Sequence, residues 1–307
     1  WTKNKSWYLQ DSLGNILSPP GTGWNDVAQL NFSNRDMVAE MIQSMKYWIL
    51  AANIDGYRCD YTDGPPFEFW REAITALRKT SNHRLLMLSE GRRNDFFTVG
   101  FDYNFGFGFF DKMKRIYKDG LSVKTIDSLN RRDYKYASNK NRMVRYTSNH
   151  DVNGSDGTPL ELFDGKKGSM AAFVVVAYMN SVPMIYNGQE VGTPYRLVFP
   201  FVDKDIDWSL NADVTAEYKK ILAFYNSSAT IRRGKLSSYA NKEVACFKKV
   251  LKGEEVLVIV NLRAQPLKFI IPEALKNSAW TDVFQRKQVL LSTEIPLADY
   301  EYIVLKR

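Results

Sequence analysis

The stretch from Ile54 to Glu90 reads IDGYRCDYTDGPPFEFWREAITALRKTSNHRLLMLSE. It opens on a short run, Ile54 to Asp60, that reads as a strand ending in an acid. Pro65 and Pro66 then open a segment with Trp70, Ile74 and Leu77 at helical spacing. Leu85-Leu86-Met87-Leu88 is a second strand-like run, followed by another acid, Glu90. Strand, helix and strand in so short a span make the repeating unit of a parallel sheet. A run that is apolar at successive positions predicts a strand covered by helices on both faces.

The same alternation continues outward. Upstream, Met37, Met41, Met45, Trp48 and Ile49 recur at helical spacing between Asn34 and Ala52, and Asn34 can cap that helix by accepting from a free backbone N–H of its first turn. Downstream, strands are predicted at Phe101–Tyr103, Met143–Ser148 and Val182–Tyr186, and helices at Gly168–Met179 and Ala216–Thr230. Five strands with helices between or after most of them predict a parallel α/β fold. An open doubly wound sheet and a closed barrel fit this alternation equally. The pattern changes near Arg233. Val244–Val250, Val256–Asn261, Leu267–Ile271 and Tyr300–Leu305 are strand-like, and Lys252-Gly253 is a hairpin turn signal. This part predicts a compact antiparallel domain.

A chain of 307 residues suggests about two domains. Hydrophobic residues at 45% and charged residues at 25% place it among ordinary globular proteins. The formal charge of +8 is spread along the chain. Its densest stretch, Arg131 to Arg145 with Arg132, Lys135, Lys140 and Arg142, reads as a solvated helix end and loop rather than a nucleic-acid patch. Two distant cysteines, Cys59 and Cys246, make neither a disulfide framework nor a metal cluster. No run reaches the roughly 18 apolar residues that span a bilayer, and no signal peptide is visible. The opening on Trp1, without a Met, is what is expected of a processed or trimmed product.

The chemistry gathers at the carboxyl ends of the strands. Asp60 ends the first, Glu90 follows the second and Asn149-His150-Asp151 follows the fourth. In a parallel barrel these ends converge on one mouth. Repulsion among acids there raises at least one pKa, which a proton donor needs. Arg58 lies two residues before Asp60, on the same strand face, where its guanidinium keeps the carboxylate ionised and oriented. One carboxylate as nucleophile and another as acid/base suit glycoside cleavage. Taken singly, each residue has a plainer reading: Glu90 as a solvated loop acid, His150 as a structural hydrogen-bonder, Cys59 as core filler and the helix aromatics as packing.

The neighbourhoods of these acids resemble segments of the α-amylase superfamily of glycoside hydrolases. Gly56-Tyr57-Arg58-Cys59-Asp60 is similar to its G-F-R-x-D segment, Leu88-Ser89-Glu90-Gly91 to its proton-donor segment, and Ser148-Asn149-His150-Asp151 to its N-H-D segment. Pro183-Met184-Ile185-Tyr186-Asn187-Gly188-Gln189-Glu190 resembles the P-x-I-Y-x-G-Q-E stretch at the eighth barrel strand, and Asp207-Trp208 the D-W after it. The order and rough spacing agree from about Trp24 to the end of the chain.

The resemblance implies an incomplete (β/α)₈ TIM barrel holding about the last five strands, followed by an antiparallel β-sandwich domain. Residues 1–23 are then the tail of an inserted loop domain, 24–232 the barrel part and 233–307 the β-domain. Asp60 becomes the nucleophile, Glu90 the general acid/base and Asp151 the third carboxylate. Arg58 supports Asp60, while His150 and Asn149 fall to substrate binding. The expected activity is retaining hydrolysis of α-1,4 bonds in starch-like glucans or maltooligosaccharides. A transglycosylase or an α-1,6-specific relative is the enzymatic alternative, and a non-catalytic glucan-binding or structural protein the alternative of another class. No metal or other cofactor is expected, because the family's calcium site draws largely on segments outside this chain. The expected partner is an α-glucan, with no nucleic acid and no membrane span. Open barrel edges are expected to permit self-association and to leave the isolated chain inactive. The substrate class favours an extracytoplasmic setting, which the residues themselves leave open. After Asp60 the chain runs Tyr61-Thr62-Asp63-Gly64, without the K-H common in typical α-amylases.

Overall fold

A computed structural model describes residues 4–201 and 204–307. The chain divides into two compact units, residues 1–105 with 135–141, and residues 106–134 with 142–307.

In the first unit, helix α1 (Arg35–Ala52) begins as the sequence predicts. The Asn34 side chain accepts from the N–H groups of Asp36 at 3.1 Å and Met37 at 3.0 Å. Strand β1 (Gly56–Cys59), helix α2 (Phe67–Thr80), strand β2 (Leu86–Ser89) and strand β3 (Tyr103–Phe105) follow. β1 pairs in parallel with β2, Cys59 opposite Ser89, and β2 in parallel with β3, Ser89 opposite Asn104. Gly56 is required at the start of β1: it adopts φ +149°, and a Cβ there would lie 1.8 Å from the Leu86 carbonyl oxygen. α2 buries Trp70, Ala73, Ile74 and Leu77 in a core shared with Met37, Val38 and Ile42 of α1, with Leu85 and Met87, and with Phe101. Two expectations are corrected here. Leu86 is 45% exposed, so the second run is not covered on both faces. Trp48 also stays exposed, beside Tyr47, because α1 turns its Met37, Val38, Ile42 and Ile49 stripe, with Met41 and Met45 partly buried against it, into the core.

The second unit opens with helices α3 (Phe107–Lys118) and α4 (Thr125–Asp133) and strand β4 (Arg142–Tyr146). Short helices α5 (Val152–Ser155) and α6 (Pro159–Leu162) lead into α7 (Gly165–Tyr178), buried from Gly168 onward, and then strand β5 (Ser181–Met184), parallel to β4. The helix expected at Ala216–Thr230 is two helices, α8 (Ala212–Ser227) and α9 (Ala229–Arg233). Ser228 leaves helical geometry between them, and its hydroxyl accepts from the Ile231 N–H at 3.1 Å to cap α9.

Arg145 departs furthest from the solvated stretch expected around Arg131–Arg145. Its side chain is fully buried on β4. It donates to the Met179 carbonyl at 2.6 Å and to Asn130 at 2.8 Å, pairs with Asp133 at 3.4 Å, and lies 3.9 Å over the Phe109 ring. A buried guanidinium persists where such partners replace its water. Arg132 and Lys135, in contrast, are exposed as expected.

Eight strands follow: β6 (Lys235–Ser238), β7 (Val244–Leu251), β8 (Glu254–Asn261), β9 (Leu267–Ile270), β10 (Ser278–Asp282), β11 (Gln288–Leu291), β12 (Glu294–Leu297) and β13 (Tyr302–Lys306). Six form an antiparallel sheet in the order β11-β10-β13-β8-β7-β6, and β12 pairs with β9. Lys252 and Gly253, at φ +50° and +89°, make the predicted hairpin between β7 and β8. Val244, Cys246, Leu257, Ile259, Phe269, Trp280 and Leu305 form its core. Both cysteines are free and buried.

Lys249 on β7 is fully buried, and its ammonium donates to the Ile231 carbonyl of α9. Burial pushes this ammonium down to about 7, and the Arg142 and Arg145 charges act in the same direction. The unfolded chain therefore binds a proton that the folded chain gives up between the folded value and the ordinary one of about 10.4. Stability rises with pH across that window and is lost as pH falls toward 7. The expected result for Lys249→Met is a difference in Tm between pH 7 and pH 10 that is smaller than wild type by about 3 °C or more. An unchanged difference in thermal melts would count against a neutral Lys249.

Candidate active site

β1 and β2 deliver the site of the first unit. Arg58, on β1, forms ion pairs with two carboxylates at once: Nη1 with Asp60 and Nη2 with Glu90. Asp60 follows β1 directly, and its side chain is 76% exposed. Glu90 follows β2 and is 11% exposed. Parallel pairing of the strands sets this arrangement, since the Glu90 N–H donates to the Cys59 carbonyl at 3.0 Å and the Thr62 N–H to the Glu90 carbonyl at 3.0 Å. The expected Arg58–Asp60 contact is present. The second arm of Arg58, on Glu90, was not foreseen from the sequence.

The two acids sit in unlike surroundings. Burial pushes the Glu90 carboxyl above its usual range, and the Asp60 charge adds to this. The Tyr61 N–H, 3.3 Å from Oε2, and the Arg58 guanidinium oppose the shift without cancelling it. An exposed carboxylate and a partly desolvated one on a single guanidinium can divide nucleophile and proton-donor roles between them.

Several supporting residues were missed in the sequence. Tyr61 holds φ +41°, uncommon for a bulky residue, and this conformation aims its N–H at Glu90. Its ring meets Trp24 edge-on at 4.8 Å. The buried Thr62 hydroxyl donates to the Cys59 carbonyl at 2.8 Å, and Trp70 Nε1 to the Thr62 carbonyl at 3.0 Å, so the turn after β1 is tied to α2. Ser89 donates to Asn104 Oδ1 at 2.6 Å, tying β2 to β3. Only Trp70 carried a sequence signal, as a core residue.

In the second unit, Asn149, His150 and Asp151 follow β4 closely. Asn149 is buried, and its Oδ1 accepts from the N–H groups of Asp151 at 2.9 Å and Val152 at 2.8 Å. It thus fixes the turn that presents the two residues after it. His150 and Asp151 are exposed, with Nε2 and Oδ1 3.5 Å apart. Gln189, from the Pro183–Glu190 segment, is buried and donates to Thr147 and Tyr218, each at 2.8 Å, which anchors the loop after β5 beneath β4.

No family model matches the chain. "Alpha-amylase 2" of Dictyoglomus thermophilum is 24% identical over 281 residues, covering 85% of this chain and 48% of that protein. The chain is related to the α-amylase superfamily. A "Cyclomaltodextrinase" of Thermoanaerobacter pseudethanolicus is 24% identical over 255 residues, 78% of this chain and 42% of that protein. This relative of the α-amylases spans about half or less of the length of the curated proteins it matches. An α-amylase structure from Lactobacillus plantarum shares the fold across 100% of this chain and 74% of its own, at TM-score 0.84 and 19% identity. Parallel α/β elements followed by an antiparallel sheet therefore form an α-amylase-type fold.

Proposed function

We propose that the protein carrying this chain is a retaining α-glycoside hydrolase acting on α-1,4-glucosidic bonds of starch-like glucans or maltooligosaccharides. The observation that carries this reading is Arg58 holding an exposed Asp60 and a partly desolvated Glu90 together. Glu90, protonated, gives its proton to the leaving glycosidic oxygen while an Asp60 oxygen attacks the anomeric carbon. The C–O bond breaks and a glycosyl ester forms. Glu90, now a carboxylate, takes a proton from water, whose oxygen displaces Asp60. Each displacement inverts the carbon, so the α configuration returns. Arg58 holds Asp60 on one arm of its guanidinium and Glu90 on the other. On the resemblance, Asp151 is the third carboxylate, and it binds ring hydroxyls together with His150. The caps made by Asn149 support a role in orienting both.

Proton NMR of fresh maltooligosaccharide digests tests the reading. The α-anomer is expected first, with the β-anomer growing in only by mutarotation. The β-anomer appearing first would exclude a covalent Asp60 intermediate. Products longer than the substrate would mark transglycosylation instead.

A further inference from the structure

We propose that a groove remote from Asp60 and Glu90 in sequence, between the end of α3 and the turn before β13, is a second binding site for an α-glucan chain. The choice of ligand rests on the hydrolase reading; the site itself rests on its own geometry. The groove has a volume of about 860 Å³, within the usual range for ligand sites. Tyr117 and Tyr300 both line it and stack, ring centroids 5.5 Å apart and planes 11° apart, and both residues are half-buried. Their polar ends are already occupied: Tyr117 donates to the Gly168 carbonyl at 2.8 Å and Tyr300 to Asp164 at 2.9 Å. With both hydroxyls engaged, a sugar would meet these residues through their rings, against which the C–H face of a pyranose can bury apolar area.

The walls are held in place. Arg263 donates to the Ile116 carbonyl at 2.6 Å and the Leu121 carbonyl at 2.8 Å, which pins the end of β8 to the end of α3. Tyr300 and Asp164 both hold positive φ, +54° and +57°, and their side chains are bonded to each other. An aromatic residue stays in that region only where its surroundings over-determine it.

The acids of the groove are already engaged. Asp156 pairs with Lys114 at 3.2 Å, Asp119 with Arg115 at 3.3 Å and Glu161 with Arg196 at 3.2 Å, while Asp164 is taken by Tyr300. Every carboxylate lining the groove is thus engaged, which leaves little for a cation. The side chains of Lys118 and Gln265 make no hydrogen bond or ion pair among the described residues. A flat aromatic pair flanked by free hydrogen-bonding groups fits a polyhydroxylated ring.

Native gel electrophoresis through glycogen tests the site, with the protein carrying this chain as wild type, Tyr300→Ala and the surface double variant K118A/Q265A. Wild type is expected to be retarded, with the apparent Kd for glycogen raised about fivefold in Tyr300→Ala. A smaller rise in the same direction is expected in the double variant, which touches no packing and decides the matter should Tyr300→Ala fail to fold. Equal retardation of wild type and the double variant, or none in wild type, overturns the proposal. The hydrolase reading is scored separately by glycogen hydrolysis in wild type. Hydrolysis with unchanged retardation in the variants removes the groove alone. Retardation lost in the variants without wild-type hydrolysis removes the hydrolase reading alone.

Discussion

Asp60→Asn is expected to lower kcat on α-glucans by about four orders of magnitude, in the range seen when an enzyme's nucleophile is removed. The amide keeps the shape of the carboxylate and an oxygen for Arg58 but cannot form the glycosyl ester. Asp60 is mostly exposed, and its side-chain contact is with Arg58, so the fold should survive. Binding of a maltooligosaccharide, measured by calorimetry, is expected to stay within a few-fold, because most sugar contacts lie outside the nucleophile. Turnover near the wild-type rate would remove Asp60 from its role and leave the Arg58 pair as a structural clamp.

Glu90→Gln is expected to cost about 10² to 10⁴ in kcat/KM on natural glucans and far less on an aryl glycoside whose phenolate leaves readily. The reason is that a positioned donor matters most when the departing oxygen is a poor anion. Wild-type activity on glucans should fall as pH rises through the Glu90 pKa, because the donor must carry its proton. Burial and the Asp60 charge place that fall above the ordinary glutamate range. The glutamine variant should lose this alkaline limb on the activated substrate. Equal losses on both substrates, with the limb intact, would assign the proton donor elsewhere.

Local signals in the sequence carried much of the fold. Asn34 before an apolar helical period announced the start of α1, and Lys252-Gly253 announced the β7–β8 hairpin. Both are short-range effects, decided by residues within one turn. Arg58 and Asp60 were readable as a pair because alternation along a strand is local too. What escaped was set by distant packing. Arg145 reads as one more surface cation until Asn130, Asp133 and the Phe109 ring close around it. Glu90 on the second arm of Arg58 depends on the register of β1 against β2, which composition does not reveal. The positive φ of Tyr61 has no sequence signature, since most residues in that region are Gly, Asn or Asp. Ser228 dividing α8 from α9 was legible only in part: serine is a good cap, but nothing nearby marked this one as used.

The central claim is that Asp60 forms a covalent bond to the sugar while Glu90 serves as acid/base. Trapping that bond tests it most directly. Glu90→Gln of the protein carrying this chain, incubated with an α-maltosyl fluoride, accepts glycosyl without needing the donor but lacks the base that releases it. Intact mass followed by peptide mapping is predicted to place one maltosyl group on the peptide containing Asp60, with no such adduct in Asp60→Asn. An adduct on another residue, or none while the fluoride is turned over with inversion, would contradict the account.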